Sequence, residues 1–156
     1  MENELSKYLT RAMKLCSRSE TCTFDMRQKL TQWLIQEEDV EKILEELTRQ
    51  SFIDDNRYAK ALVKDKTYLN KWGKQKTRYF LKMKNIGDKT IQDALDEIQQ
   101  DEYQNMVEKE LHKKFFTLKN HPPLKQKSSL VSFGQNRGYE FELIMNIVEK
   151  LIKPLR

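Results

Sequence analysis

Three stretches of the chain place apolar residues at relative positions 0, 3, 4 and 7. They are Val40, Ile43, Leu44 and Leu47; Ile91, Ala94, Leu95 and Ile98; and Phe141, Ile144, Met145 and Val148. This spacing lines one face of an α-helix, and that face must be buried. The stretches are offset by 51 and 50 residues. A near-constant offset of that size predicts tandem structural units.

The surroundings repeat as well. A shorter helical stretch precedes each pattern: FDMRQKLTQWLIQ at 24–36, KQKTRYFLKMKN at 74–85 and PLKQKSSLVSFGQN at 123–136. Leu30, Leu81 and Val131 take the aligned apolar position. A longer helical stretch comes before each of these, at 4–17, 55–71 and 102–118. The expected fold is all-α: three tandem three-helix repeats at 1–53, 54–100 and 101–156. A unit of about 50 residues buries little core alone, so the repeats should pack into an elongated, curved array. With only 4 Gly and 3 Pro, the chain suits helices with short connections rather than a turn-rich β fold.

Local chemistry suggests the helix ends. Thr23 can cap a helix beginning near Phe24, and Asp39 and Asp88 can cap the third helices of repeats one and two. Gly138 suits a left-handed helix end, and Asn85 can take that part in repeat two. Pro122-Pro123 fits a helix start, and Pro154 discourages continuation of the last helix.

Candidates for chemistry are few. Asp54-Asp55 precedes a stripe of Tyr58, Ala61, Leu62 and Leu69, as a helix-capping pair would. A metal or acid–base site would need further carboxylates or histidines converging on the pair. Cys16, Cys22, His112 and His121 lack zinc-ligand spacing. The four glycines are isolated, so no phosphate loop is present, and no nucleophile motif stands out. The expectation is a non-enzymatic protein without cofactor or metal. Two cysteines are too few for a disulfide framework and read as free thiols in a reducing cytoplasm. No apolar run approaches the roughly 20 residues of a membrane span, and the N-terminus lacks a signal peptide's apolar core.

Charge is segregated in blocks. Residues 37–56 carry a net of −6, 57–89 a net of +9, and 90–110 a net of −6; 111–137 hold six bases and no acid. Such segregation points to a polyanionic partner. In YLNKWGKQKTRYFLKMK, 68–84, bases alternate with aromatics, so phosphate contacts and base stacking are both available. The candidate contact residues are Arg57, Lys60, Lys64, Lys71, Trp72, Lys74, Lys76, Arg78, Lys82 and Lys84. Lys125, Lys127 and Arg137 would extend the patch in repeat three.

Three segments, SFIDDNRYAKALV, KWGKQKTRYFLKMKNI and FGQNRGYEFELIMNIV, resemble in order and spacing the RecX family of bacterial recombination regulators. Phe52, Ile53, Asp54, Asp55, Arg57, Tyr58 and Ala59 match the central signature. Gly73, Lys74, Arg78, Leu81, Lys84 and Ile86 match the second motif. Phe133, Arg137, Gly138, Tyr139 and Ile144 match the third. The resemblance covers about 24–150. Ser51 and Asn85 stand where the family usually has Gly. The resemblance implies a non-enzymatic protein that binds the RecA recombinase filament on single-stranded DNA and inhibits its ATPase and strand exchange; a monomer is expected. It leaves contact with double-stranded DNA open. The charge blocks by themselves fit an alternative, a standalone basic nucleic-acid-binding protein.

Overall fold

The structure, a computed structural model, describes residues 2–152, with side chains from residue 4. Pro154 lies outside the described residues. Among the described residues nine helices run in order: α1 (Glu2–Arg18), α2 (Thr23–Gln32), α3 (Glu37–Arg49), α4 (Asp55–Tyr68), α5 (Lys74–Met83), α6 (Asp88–Asp96), α7 (Gln100–Phe116), α8 (Pro123–Arg137) and α9 (Phe141–Leu151). No strand occurs among the described residues. The order is three by three, as the apolar repeat predicts.

The chain forms two compact units. One comprises residues up to Leu62 together with Leu81–Ile91; the other comprises Val63–Phe80 together with residues from Gln92 onward. The division runs through α4, α5 and α6, so the middle repeat contributes to both.

In the first unit, α3 packs on α1 and α2. Val40, Ile43, Leu44 and Leu47 are all buried, with Ala12, Met26, Leu30 and Ile53 around them. Burying each large aliphatic side chain contributes about 1.5–3 kcal/mol, which holds the short α2 in place. In the second unit, α7, α8 and α9 pack on one another through Tyr103, Val107, Leu111, Leu130, Ile144, Ile147 and Val148.

Several expected core positions are not fully buried, Met145 among them. Leu130, not Val131, is the fully buried residue of α8. The reason is the close approach of α9 at Gly134, where an added Cβ would lie 2.7 Å from Ile144 Cδ1. Leu130 is one turn before Gly134 on that line, and Val131 is rotated about 100° off it. Phe141 is 53% exposed, because α9 presents Ile144, Ile147 and Val148 to the core instead. On α4 the buried line is Tyr58, Ala59, Val63 and Thr67. Ala61 and Leu62 are only half-buried, and Leu69 falls beyond the helix end and is 76% exposed.

Helix starts also depart from expectation. Cys22, not Thr23, caps α2: its Sγ accepts from the Asp25 amide at 3.4 Å. Thr23 is the first helical residue. Asp39 lies inside the first turn of α3, after Gln36 as the cap residue, and complements the helix dipole with Glu37 and Glu38. Asp88 is itself helical in α6 and pairs with Lys82 at 3.4 Å. Pro123 opens α8, as expected.

Four helices end in one motif. Leu34, Ser51, Asn85 and Gly138 all have positive φ, between 58° and 89°. The next residues, Ile35, Phe52, Ile86 and Tyr139, donate their amides to carbonyls five residues back: Leu30, Leu47, Leu81 and Gly134. This is the six-to-one bond of a Schellman end. Only one of the four positions is glycine. For the others the left-handed conformation costs roughly 1–2 kcal/mol, partly offset by glycine's larger backbone entropy loss.

Leu34→Gly and Ser51→Gly should therefore each raise stability by about 0.5–1 kcal/mol, read as a higher urea midpoint; an unchanged or lower midpoint would contradict this account. Burial raises the Cys22 thiol to about 11, with the Asp25 and Asp55 carboxylates adding to the shift. The stability this neutral thiol contributes is complete below the unfolded thiol range, about 8.5, and is lost as pH rises toward 11. The stability gap between the wild type and Cys22→Ser should shrink from pH 7.5 to pH 10.5, measured by urea unfolding at both.

Candidate nucleic-acid interface

Asp54 and Asp55 divide their work. Asp54 Oδ1 accepts from the amides of Asn56 and Arg57 at 3.0 and 3.1 Å, capping α4. Asp55 Oδ1 instead accepts from the Thr23 amide and hydroxyl at 2.9 and 3.2 Å. It thus satisfies the first turn of α2, 32 residues away in sequence. Among the described residues, no group of three or more His, Cys, Asp or Glu side chains converges in a way that could hold a metal ion.

The basic stretch after α4 is shaped by a backbone contact in the second unit. The Gly73 amide donates to the Arg137 carbonyl at 2.6 Å, and the Gln75 amide donates to the Gly138 carbonyl at 3.0 Å. A Cβ on Gly73 would sit 2.1 Å from the Gly138 oxygen. A Cβ on Gly138 would sit 2.3 Å from Lys76 Cβ. The Tyr139 hydroxyl donates to the Lys71 carbonyl at 2.7 Å, holding the left-handed turn at Lys71. The Tyr103 hydroxyl accepts from the Lys74 amide at 3.0 Å and donates to the Glu140 carboxylate. Two orphan amides at the start of α5 are thereby satisfied. Burial raises both phenols, Tyr139 to about 12 and Tyr103 further, with Glu140 adding to the latter.

Around this junction lie most of the predicted contact residues of the second unit. Trp72 is half-buried, with Lys66 Nζ 4.6 Å and Lys76 Nζ 4.5 Å from its ring centroid and Phe80 edge-on at 5.7 Å. The tryptophan thus holds two ammonium groups in place, each cation–π contact contributing roughly 0.5–1 kcal/mol. Lys74 Nζ bonds Gln100 at 3.2 Å, and Arg78 bonds Gln92 at 2.8 Å. Lys64, Lys125 and Lys127 are exposed, and Lys71 is half-buried. Arg137 pairs with the buried Glu110 at 3.1 Å and covers Phe133.

The remaining predicted residues lie in the first unit. Arg57 pairs with Glu20 and also donates to the Ser51 and Phe52 carbonyls, fixing the end of α3. Lys84 bonds Asp25 at 2.6 Å, and Lys82 pairs with Asp88. Lys60 is exposed on α4. Lys66 was missed by sequence reasoning; its place in the last turn of α4, six residues before Trp72, was the available signal.

Comparison with known proteins places this arrangement. The family model described as "RecX, second three-helix domain" matches residues 54–95. A protein named Regulatory protein RecX, from Vibrio campbellii, is 31% identical over 133 residues, covering 85% of this chain and 84% of its own length. The chain belongs to the RecX family. A Clostridium perfringens RecX is 26% identical over 152 residues, covering 96% of this chain and 71% of its own length. A crystal structure of regulatory protein RecX matches with a TM-score of 0.84 at 26% identity, over 92% of this chain and 70% of that one. RecX from Lactobacillus salivarius shares the fold, with a TM-score of 0.86 over 97% of this chain and 98% of that one at 18% identity. The role that goes with the RecX name is regulatory. No helix among the described residues is long and apolar enough to cross a membrane.

In this RecX protein the glycine of KWGK and the Arg-Gly of NRGY meet as backbone, which is why a side chain is absent from both. Gly73→Ala should destabilise the protein by about 3 kcal/mol, by overpacking against the Gly138 carbonyl. Gly87→Ala, with nothing within 4 Å of the added Cβ, should cost less than about 1 kcal/mol. Equal losses in urea unfolding would refute the contact.

Proposed function

We propose that this chain binds a RecA recombinase filament on single-stranded DNA and restrains it, inhibiting ATPase and strand exchange. Membership of the RecX family carries the proposal. The basic segment from Lys64 to Lys84 supports it with cations that can meet DNA phosphates or acidic surfaces of the recombinase. Lys74, Lys76 and Arg78 stand on the first turns of α5, which the Gly73–Gly138 contact holds fixed. Positions set in advance lose less freedom on binding. The protein acts in the cytoplasm as a monomer, without cofactor and without catalysing a reaction. Double-stranded DNA is a weaker partner through the same cations. One molecule bridging neighbouring recombinase protomers would gain affinity through effective concentration and oppose the motions that accompany ATP turnover.

The segregated charge also favours a second reading, a nucleic-acid-binding protein that acts without a recombinase. DNA-dependent ATPase of the recombinase, with this protein titrated in, separates the two. The expected outcome is inhibition by the wild type and about tenfold weaker inhibition by Lys74→Glu/Lys76→Glu/Arg78→Glu. Salt-sensitive DNA binding with no effect on the ATPase would favour the second reading instead.

A further inference from the structure

A shallow groove on the second unit lies outside the basic stretch discussed above. Lys114 of α7 faces it, with Lys125, Ser128, Ser129, Ser132 and Asn136 of α8. The α8 residues recur at helical spacing and form one stripe about 16 Å long. The segment 111–137 contains no acid, and neither lysine is ion-paired among the described residues. Phe133, half-buried, lines the groove, and Lys114 Nζ lies 5.9 Å from its ring centroid. Arg137 pairs with Glu110 while its guanidinium lies 4.8 Å from the Phe133 ring centroid, and neither it nor Lys127 lines the groove. The cations, hydroxyls and amide therefore share one concavity with no carboxylate to neutralise it.

We propose that this groove carries the phosphodiester backbone of a single-stranded nucleic acid. Lys114 and Lys125 neutralise phosphates, while the Ser129 and Ser132 hydroxyls and the Asn136 amide donate to phosphate oxygens; the Ser128 hydroxyl already donates to the Lys125 carbonyl at 3.2 Å. Such donors position a backbone without reading its sequence, which suits a protein acting along a filament of any sequence. Phe133 offers an apolar edge to an unpaired base, which a duplex does not present. The assignment rests on the proposed contact with filament DNA and gives the strand a defined path on α7 and α8.

The test is fluorescence anisotropy of labelled single-stranded oligonucleotides with no recombinase present, over a range of salt. Lys114→Gln/Lys125→Gln should weaken binding about tenfold and reduce the slope of log K against log salt by about 1.4, or 0.7 per phosphate contact. Ser129→Asp/Ser132→Asp should weaken it in the same direction. Lys150→Gln, one exposed charge removed on α9 outside the groove, should leave both affinity and slope near wild type. Deoxyribose and ribose strands should respond alike, since the backbone is the ligand. Wild-type behaviour of the lysine double variant, or an equal loss in Lys150→Gln, would overturn the groove. So would a duplex that binds as tightly as the single strand and is equally sensitive to the double variant. These results do not depend on the recombinase ATPase. Failure of inhibition with groove binding intact would count against the regulatory reading alone.

Discussion

A backbone contact between two glycines fixes the second unit. Gly73 and Gly138 lie where a Cβ on either would clash, with Gly138 and Lys76 respectively, and the Gly73 and Gln75 amides donate to the Arg137 and Gly138 carbonyls, joining the start of α5 to the turn before α9. Tyr139 and Tyr103 complete the junction with their hydroxyls on Lys71 and Lys74. A buried backbone amide without a partner costs several kcal/mol, so this network leaves the entry to α5 little freedom. Trp72 precedes this contact and Lys74 and Lys76 follow it, and the positions of the two lysine charges derive from it. Rigid architecture and exposed charge are thus supplied by adjacent residues of the same short motif.

The acidic pair shows the same economy in the first unit. Asp54 and Asp55 are neighbours, yet one caps its own helix and the other caps α2. Arg57, a turn later, secures Ser51 and Phe52 at the end of α3. A signature that resembles an active site is a fastening: one oxygen of each aspartate and the Arg57 guanidinium meet backbone at helix termini. Its residue types suit that task because carboxylates accept from orphan amides and a guanidinium donates to orphan carbonyls.

The helical pattern was legible because burial imposes it. Every apolar position of the first two repeats, from Val40 to Leu47 and from Ile91 to Ile98, is buried. The third repeat drifted, at Val131 and Phe141, because Gly134 lets α9 approach α8 along a different line. Leu34 was opaque: leucine carries no signal for positive φ, and only the bond from Ile35 to Leu30 reveals the turn. Asp55 with Thr23, and Gly73 with Gly138, are pairs distant in sequence, and spacing rules do not reach them. For the interface, the sequence showed where cations concentrate. It could not show that Arg57, Lys84 and Arg137 are held by Glu20, Asp25 and Glu110, nor that Trp72 is covered by two lysines.

The central claim is that a fixed helical scaffold delivers the cations of α5 and its neighbours to a recombinase filament on single-stranded DNA. Electron cryomicroscopy of such a filament with this protein added tests it most directly. The account predicts added density on the filament, with the Lys71–Lys84 segment against DNA or a recombinase protomer. Filaments left bare at saturating protein, or density that turns this segment to solvent, would contradict it.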